Sequence, residues 1–167
     1  MTSGPSTGTA TVTLPADDEI LIMREFDAPR RLVYRAWTTP ELVKRWWSGG
    51  MGEMTAVEID LRVGGWWRFV MLAEGQQVAF HGEYREIVPD ERLVNTEVYE
   101  MPGSDGVEDT PPALNVVTFE DLGERTLLRL LVQTSDKDMR DAILHSGMEE
   151  GMQRQYDMLE QVVSSLR

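Results

Sequence analysis

Residues 27–49 read DAPRRLVYRAWTTPELVKRWWSG, and residues 63–71 read VGGWWRFVM. The first stretch carries two helix starts in succession. Asp27 stands where an N-cap belongs, and Pro29 lies near the first helical position, where its missing N–H costs nothing. Leu32, Val33, Ala36 and Trp37 then recur on one helical face. Thr39-Pro40 repeats the start signal, and Leu42, Val43, Trp46 and Trp47 give a second short helix that Ser48-Gly49-Gly50 ends. Two capped helices joined this closely form a V whose apolar faces meet one surface. The second stretch has period two: after a Gly64-Gly65 turn, Trp67, Phe69 and Met71 share one face of a strand while Arg68 and Val70 share the other. The two stretches hold all five tryptophans, Trp37, Trp46, Trp47, Trp66 and Trp67. Such a concentration predicts a core corner, a ligand pocket or a partner patch. The reading adopted is a pocket wall that also belongs to the core.

Outward from these stretches, period two continues. Residues 19–26 (EILIMREF) predict a strand, followed by strands over 55–61, 66–72, 78–88, 92–99, 114–120 and 126–133. Turn residues separate them closely, which predicts one antiparallel meander. Phe80, Gly82 and Tyr84 are assigned inward, with His81, Glu83 and Arg85 opposite. On the next strand Val94, Thr96 and Val98 are assigned inward, with Asn95, Glu97 and Tyr99 opposite. Trp67, Phe69, Met71, Phe80, Tyr84, Val98, Val117, Phe119, Leu128, Leu130 and Val132 then make the inner face. Residues 100–112 (EMPGSDGVEDTPP) read as a mobile loop. Ser135 or Asp136 caps a helix over 137–145, and a longer one follows over about 147–166. On it Met148, Met152, Tyr156, Leu159, Val163 and Leu166 form one stripe, so it lies on the sheet. Gly147 and Gly151 each cost about 1 kcal/mol in a helix interior relative to Ala, which close backbone approach or space kept for a ligand would offset. Residues 1–16, rich in Ser, Thr, Gly and Pro, read as a disordered lead-in, and 17–167 as a single domain.

Composition narrows the partners. A net charge of −13 argues against nucleic acid and anionic lipid, which need clustered Lys and Arg. The chain has no cysteine, so neither disulfides nor thiolate metal sites are available. No apolar run reaches the roughly 18 residues of a membrane span. The start lacks a basic and an apolar region in series, so a cytoplasmic protein is expected.

The order of strand, two short helices, curved six- to seven-stranded antiparallel sheet and long C-terminal helix resembles the helix-grip arrangement of the START-like (SRPBCC) superfamily, an α+β fold. PRRLVYRAWTTPELVKRWWSG, VGGWWRFVM, FHGEYREIVPDERLVNTE and GMEEGMQRQYDMLEQV are similar to blocks of the Hsp90-ATPase-activator-homologue family. The resemblance covers about residues 18–166. It implies a sheet wrapped around the terminal helix and a cavity between them for a lipid, polyketide or other apolar metabolite. It also implies two alternatives: a co-chaperone-like module acting on Hsp90, or a cyclase or hydrolase using the same cavity.

The expected ligand-binding residues are Trp47, Trp67, Phe69, Met71, Phe80, Gly82, Tyr84, Thr96, Phe119, Met148, Met152 and Tyr156. They combine aromatics and adaptable methionines with a few hydroxyls, the mixture of a mostly apolar pocket. Gly82 is expected to leave a gap between Phe80 and Tyr84. The competing reading of each residue is plain core packing. His145 and Glu149, at i and i+4, suggest a metal pair without a third ligand. Glu53, Glu58 and Asp60 are placed near the cavity mouth, and an enzyme would draw its acid or base from Tyr84, His81 or one of these carboxylates. No nucleophile motif or phosphate loop occurs, so no catalytic residue, metal or cofactor is assigned. A monomer or weak homodimer, without nucleic-acid or membrane partners, is expected.

Overall fold

β-Branched and aromatic residues in period-two alternation build most of the chain. The computed structural model describes residues 9–100 and 111–167. The elements run β1 (Thr11–Thr13), β2 (Glu19–Phe26), α1 (Arg30–Thr38), α2 (Pro40–Trp46), β3 (Glu53–Ile59), β4 (Trp66–Ala73), β5 (Gln76–Val88), β6 (Arg92–Glu100), β7 (Ala113–Asp121), β8 (Thr126–Gln133), α3 (Lys137–Leu144) and α4 (Met148–Ser165). The strands form one antiparallel sheet in the order β1-β2-β8-β7-β6-β5-β4-β3. This is the expected α+β helix-grip fold, with one strand more than the highest expected count.

The added strand lies in the expected lead-in. Thr11–Thr13 pairs along β2, and the Ala10 backbone exchanges two hydrogen bonds with the Gln153 side chain of α4. Alternating Thr-Val-Thr suits an edge strand, and these partners order it. Residues 1–8 of the lead-in, and the 101–110 part of the expected mobile loop, lie outside the described residues.

The caps differ in part from expectation. Pro29, not Asp27, occupies the N-cap of α1, without a side-chain bond; Asp27 instead receives the Arg167 guanidinium at its carbonyl. Thr39 precedes α2 with Pro40 at its first position. Asp136 caps α3 by accepting the Met139 N–H at 2.8 Å. Gly147 is the N-cap of α4 at φ 85, a left-handed conformation natural for glycine. The chain therefore turns between His145, which closes α3, and Glu149, so these two do not share a helical face.

One face of the sheet carries charge and meets solvent, as antiparallel sheets allow. The other carries the core, with Ile20, Ile22 and Phe26 of β2, Val117 and Phe119 of β7 and Leu128 of β8 packed under Leu159, Val162 and Val163 of α4. A second cluster, of Val57, Trp67, Phe69, Tyr84 and Val43, holds α2 to β3, β4 and β5. Arg24 faces inward from β2 with its side chain 1% exposed, and pairs with Asp157 and Glu160 of α4 at 2.9 and 3.7 Å. Helix and sheet are thus joined by a charge clamp as well as by burial. No described helix is long and apolar enough to cross a membrane.

Candidate functional site

A cavity of about 770 Å³ is lined by residues of β4–β8, α2, α3 and the start of α4. Its aromatic wall follows from the tryptophan stretches. Trp46, 2% exposed, donates its indole N–H to the Ala36 carbonyl at 3.0 Å and locks α2 against α1. Trp37 lies 4.9 Å from Trp46, ring centroid to ring centroid. Trp47 swings the other way and meets Phe69 and Phe80 edge-on at 5.3 and 5.0 Å. Trp66 points outward and is 49% exposed. On the helix side, Met148, Met152 and Tyr156 stand one turn apart along the cavity. Met51, Ser146 and Gly147 line it and are also exposed, which marks where it meets solvent.

Nine of the twelve expected residues line this cavity: Trp47, Trp67, Phe69, Met71, Phe80, Tyr84, Met148, Met152 and Tyr156. Three do not. Phe119 is fully buried in the first cluster, covered edge-on by Tyr34 at 5.5 Å and Trp37 at 6.1 Å. Gly82 leaves no gap, because the Trp67 indole crosses it to donate to the Thr96 carbonyl at 3.1 Å. A Cβ at Gly82 would stand 1.8 Å from that carbonyl oxygen and 2.6 Å from Trp67 Nε1. The glycine therefore permits a close approach between strands and not a space for a ligand.

Thr96 lies on the outer face, its hydroxyl accepting the Glu83 N–H, and the whole alternation of β6 is the reverse of the expected one. Directly paired residues of an antiparallel ladder share a face. Phe80 pairs with Tyr99 and Tyr84 with Asn95, so the inward residues of β6 are Leu93, Asn95, Glu97 and Tyr99, and all four line the cavity. Val98 pairs with the outward His81. The apolar-inward rule misassigned this strand because its cavity side is polar.

That reversal uncovers residues the sequence reading missed. Asn95 and Asn115 are cross-strand partners on the inner face. Asn115 Nδ2 donates to Glu97 Oε1 at 2.7 Å. Glu97 is partly buried and lines the cavity. Burial pushes its carboxyl upward, toward the neutral acid, and the bond from Asn115 opposes this only in part. The Tyr156 hydroxyl is buried and, among the described residues, has no hydrogen-bond partner. Burial raises its pKa too, with the Arg24 charge acting against the shift and the Glu97 charge adding to it. The one signal in sequence was Glu97 and the two asparagines, each polar amid strand-forming apolar neighbours.

The other titratable candidates stand elsewhere. His81 is on the outer face, where its Nδ1 lies 2.8 Å from Glu100; Arg68 grips the same carboxylate at two 2.9 Å contacts. The hydrogen bond from Arg68, seconded by His81, holds Glu100 down to about 2. Glu58 pairs outward with Arg68, Asp60 binds Arg62, and neither these nor Glu53 reaches the cavity. Burial pushes Tyr84 up, which keeps its phenol protonated.

A family model described as Activator of Hsp90 ATPase homolog 1-like protein matches residues 27–164. No curated protein matches. Among solved structures, a protein from Rhodobacter sphaeroides is 22% identical, with 94% of this chain and 99% of that one covered and a TM-score of 0.85. One from Arthrobacter aurescens is 22% identical, with 93% and 91% covered and a TM-score of 0.82. One from Chromobacterium violaceum is 28% identical, with 87% and 97% covered and a TM-score of 0.74.

Proposed function

The chain belongs to the family of Activator of Hsp90 ATPase homolog 1-like proteins, and from that premise we propose that it binds a small hydrophobic ligand between its sheet and its C-terminal helix. The observation that carries the reading is the cavity itself, about 770 Å³ and walled by four of the five tryptophans. Small-molecule sites occupy about 300–1,000 Å³ and combine apolar walls with a few polar groups. A packed core would close such a space, since each void forfeits dispersion contacts on its lining. Five of the ten methionines border it, Met51, Met71, Met139, Met148 and Met152, and their flexible thioethers suit a wall that adapts to a guest.

Tryptophan fluorescence tests the reading, with Trp66→Phe removing the surface emitter. Long-chain alcohols, sterols and polyketides are expected to shift the emission saturably. Gly151 is the place to close the cavity, because an added Cβ there meets only Met51 sulfur at 3.5 Å. Gly151→Leu is expected to weaken binding at least about tenfold while the helix gains about 1 kcal/mol from losing glycine. Emission that no apolar compound moves, or binding that Gly151→Leu leaves intact, would sink the proposal.

A further inference from the structure

The polar groups of the cavity are gathered where β6 and β7 run side by side. Asn95 and Asn115 face each other across the strands, and Glu97 is the next inward residue of β6, paired with the small Ala113. Asn115 fixes one carboxyl oxygen of Glu97 at 2.7 Å. Among the described residues no Lys, Arg or His lies within ion-pairing distance of Glu97, so its charge has no counter-ion. From α4, Tyr156 adds a buried hydroxyl that lacks a partner among the described residues. An unmet buried hydroxyl is costly, and an incoming oxygen that meets it recovers that cost.

We propose that this end of the cavity is a head-group site for an uncharged amphiphile, an apolar alcohol or ketone, whose oxygen is received by Glu97 and Tyr156. The inference rests on the cavity being a ligand site and narrows the class of ligand. A carboxylate head would set two like charges side by side in a partly buried pocket, which one of them relieves only by taking up a proton. An ammonium head would need Glu97 ionised, and a buried ion pair repays its desolvation only with several supporting hydrogen bonds. Here a single amide supports the carboxyl. A neutral head needs neither change. The Glu97 carboxyl and the Tyr156 hydroxyl hydrogen-bond the ligand oxygen, and the chain of the ligand lies along Trp47, Phe69 and Met152.

The test is a matched series of dodecanol, dodecanoate and dodecylamine, each below its micelle threshold, titrated at pH 7.5 into the full chain and into Glu97→Gln. Glutamine keeps the shape and the bond from Asn115 but cannot ionise. Dodecanol is expected to bind the wild type at least about tenfold more tightly than dodecanoate, and Glu97→Gln to narrow that gap below about threefold by admitting dodecanoate. Tyr156→Phe is expected to raise the melting temperature of the empty protein yet weaken dodecanol about threefold. Equal binding of dodecanol and dodecanoate to the wild type, or a gap that survives Glu97→Gln, overturns the head-group site and leaves the cavity reading standing. Dodecylamine binding best, and losing that advantage in Glu97→Gln, also overturns it by showing a site for a cationic head. Unchanged dodecanol affinity in Tyr156→Phe removes the tyrosine from the site. Failure of all three compounds to bind takes down the cavity reading as well.

Discussion

Replacing Gly82 by alanine adds one methyl group where β5, β6 and the Trp67 indole converge. An ideal Cβ there stands 1.8 Å from the Thr96 carbonyl oxygen, whereas a C···O contact settles at about 3.3 Å. The β6 backbone would have to retreat by roughly 1.5 Å to restore that distance. Such a retreat breaks the bond that the Thr96 carbonyl accepts from Trp67 Nε1 at 3.1 Å, while Asn95 moves with its own strand. That bond is worth about 1 kcal/mol, and the overpacking adds about 1–3 kcal/mol. Alanine returns up to about 1 kcal/mol of strand preference over glycine. The expected net loss is about 2 kcal/mol, or a melting temperature lowered by about 4–8 °C in a chain of this size. Urea unfolding followed by circular dichroism and tryptophan emission measures it. Gly75→Ala is the control: its Cβ meets nothing within 4 Å, and at φ +80 it pays only for the left-handed backbone, about 1–2 kcal/mol. A Gly82→Ala protein within about 0.5 kcal/mol of wild type would refute the close approach.

Two further substitutions probe the charges at the sheet–helix junction. Glu97 has a folded pKa raised above its ordinary 4.5, so the native state holds a proton that the unfolded chain releases. Its stabilising effect is full below about pH 4.5 and is lost as pH rises through the folded value. Glu97→Gln is therefore expected to gain stability over wild type as pH rises above about 4.5, read from urea midpoints; a difference constant with pH would contradict this. Arg24→Met keeps the aliphatic stem but leaves the half-buried Glu160 without its cation. A loss of about 2 kcal/mol is expected, below the about 3–5 kcal/mol of a fully buried pair because Asp157 is 57% exposed. Unfolding within about 0.5 kcal/mol of wild type would show that the clamp does not hold α4.

Much of this architecture was written in local signals that tertiary contacts did not override. The Thr39-Pro40 start, the Gly64-Gly65 turn and the four-and-three stripe from Met148 to Val163 each act over a few residues. The tryptophans also sorted as their periodicity implied, Trp67 inward and Trp66 outward. The errors arose where a distant neighbour decides. Nothing local to Gly82 reveals that an indole from β4 lies across it to reach β6. Phe119 is apolar and inward, as expected, but whether an inward residue touches a cavity depends on Trp37 and Tyr34 standing over it. For β6 the apolar-inward rule selected Val94, Thr96 and Val98, whereas pairing with β5 turns Asn95, Glu97 and Tyr99 inward. A cavity wall carrying polar groups reverses the usual pattern, so the rule fails at the place where the site is.

Selective labelling of the methionine methyl groups gives the most direct test of the cavity as a ligand site. Met51, Met71, Met139, Met148 and Met152 line it, while Met23 packs on the far side of β2 beside Arg129, and Met158 lies away from the lining. On titration with dodecanol, the methyl resonances of those five are expected to shift together along one saturable curve, with Met23 and Met158 unmoved. Resonances that all stay in place at saturating dodecanol, or a Met23 shift as large as that of Met152, would contradict the account.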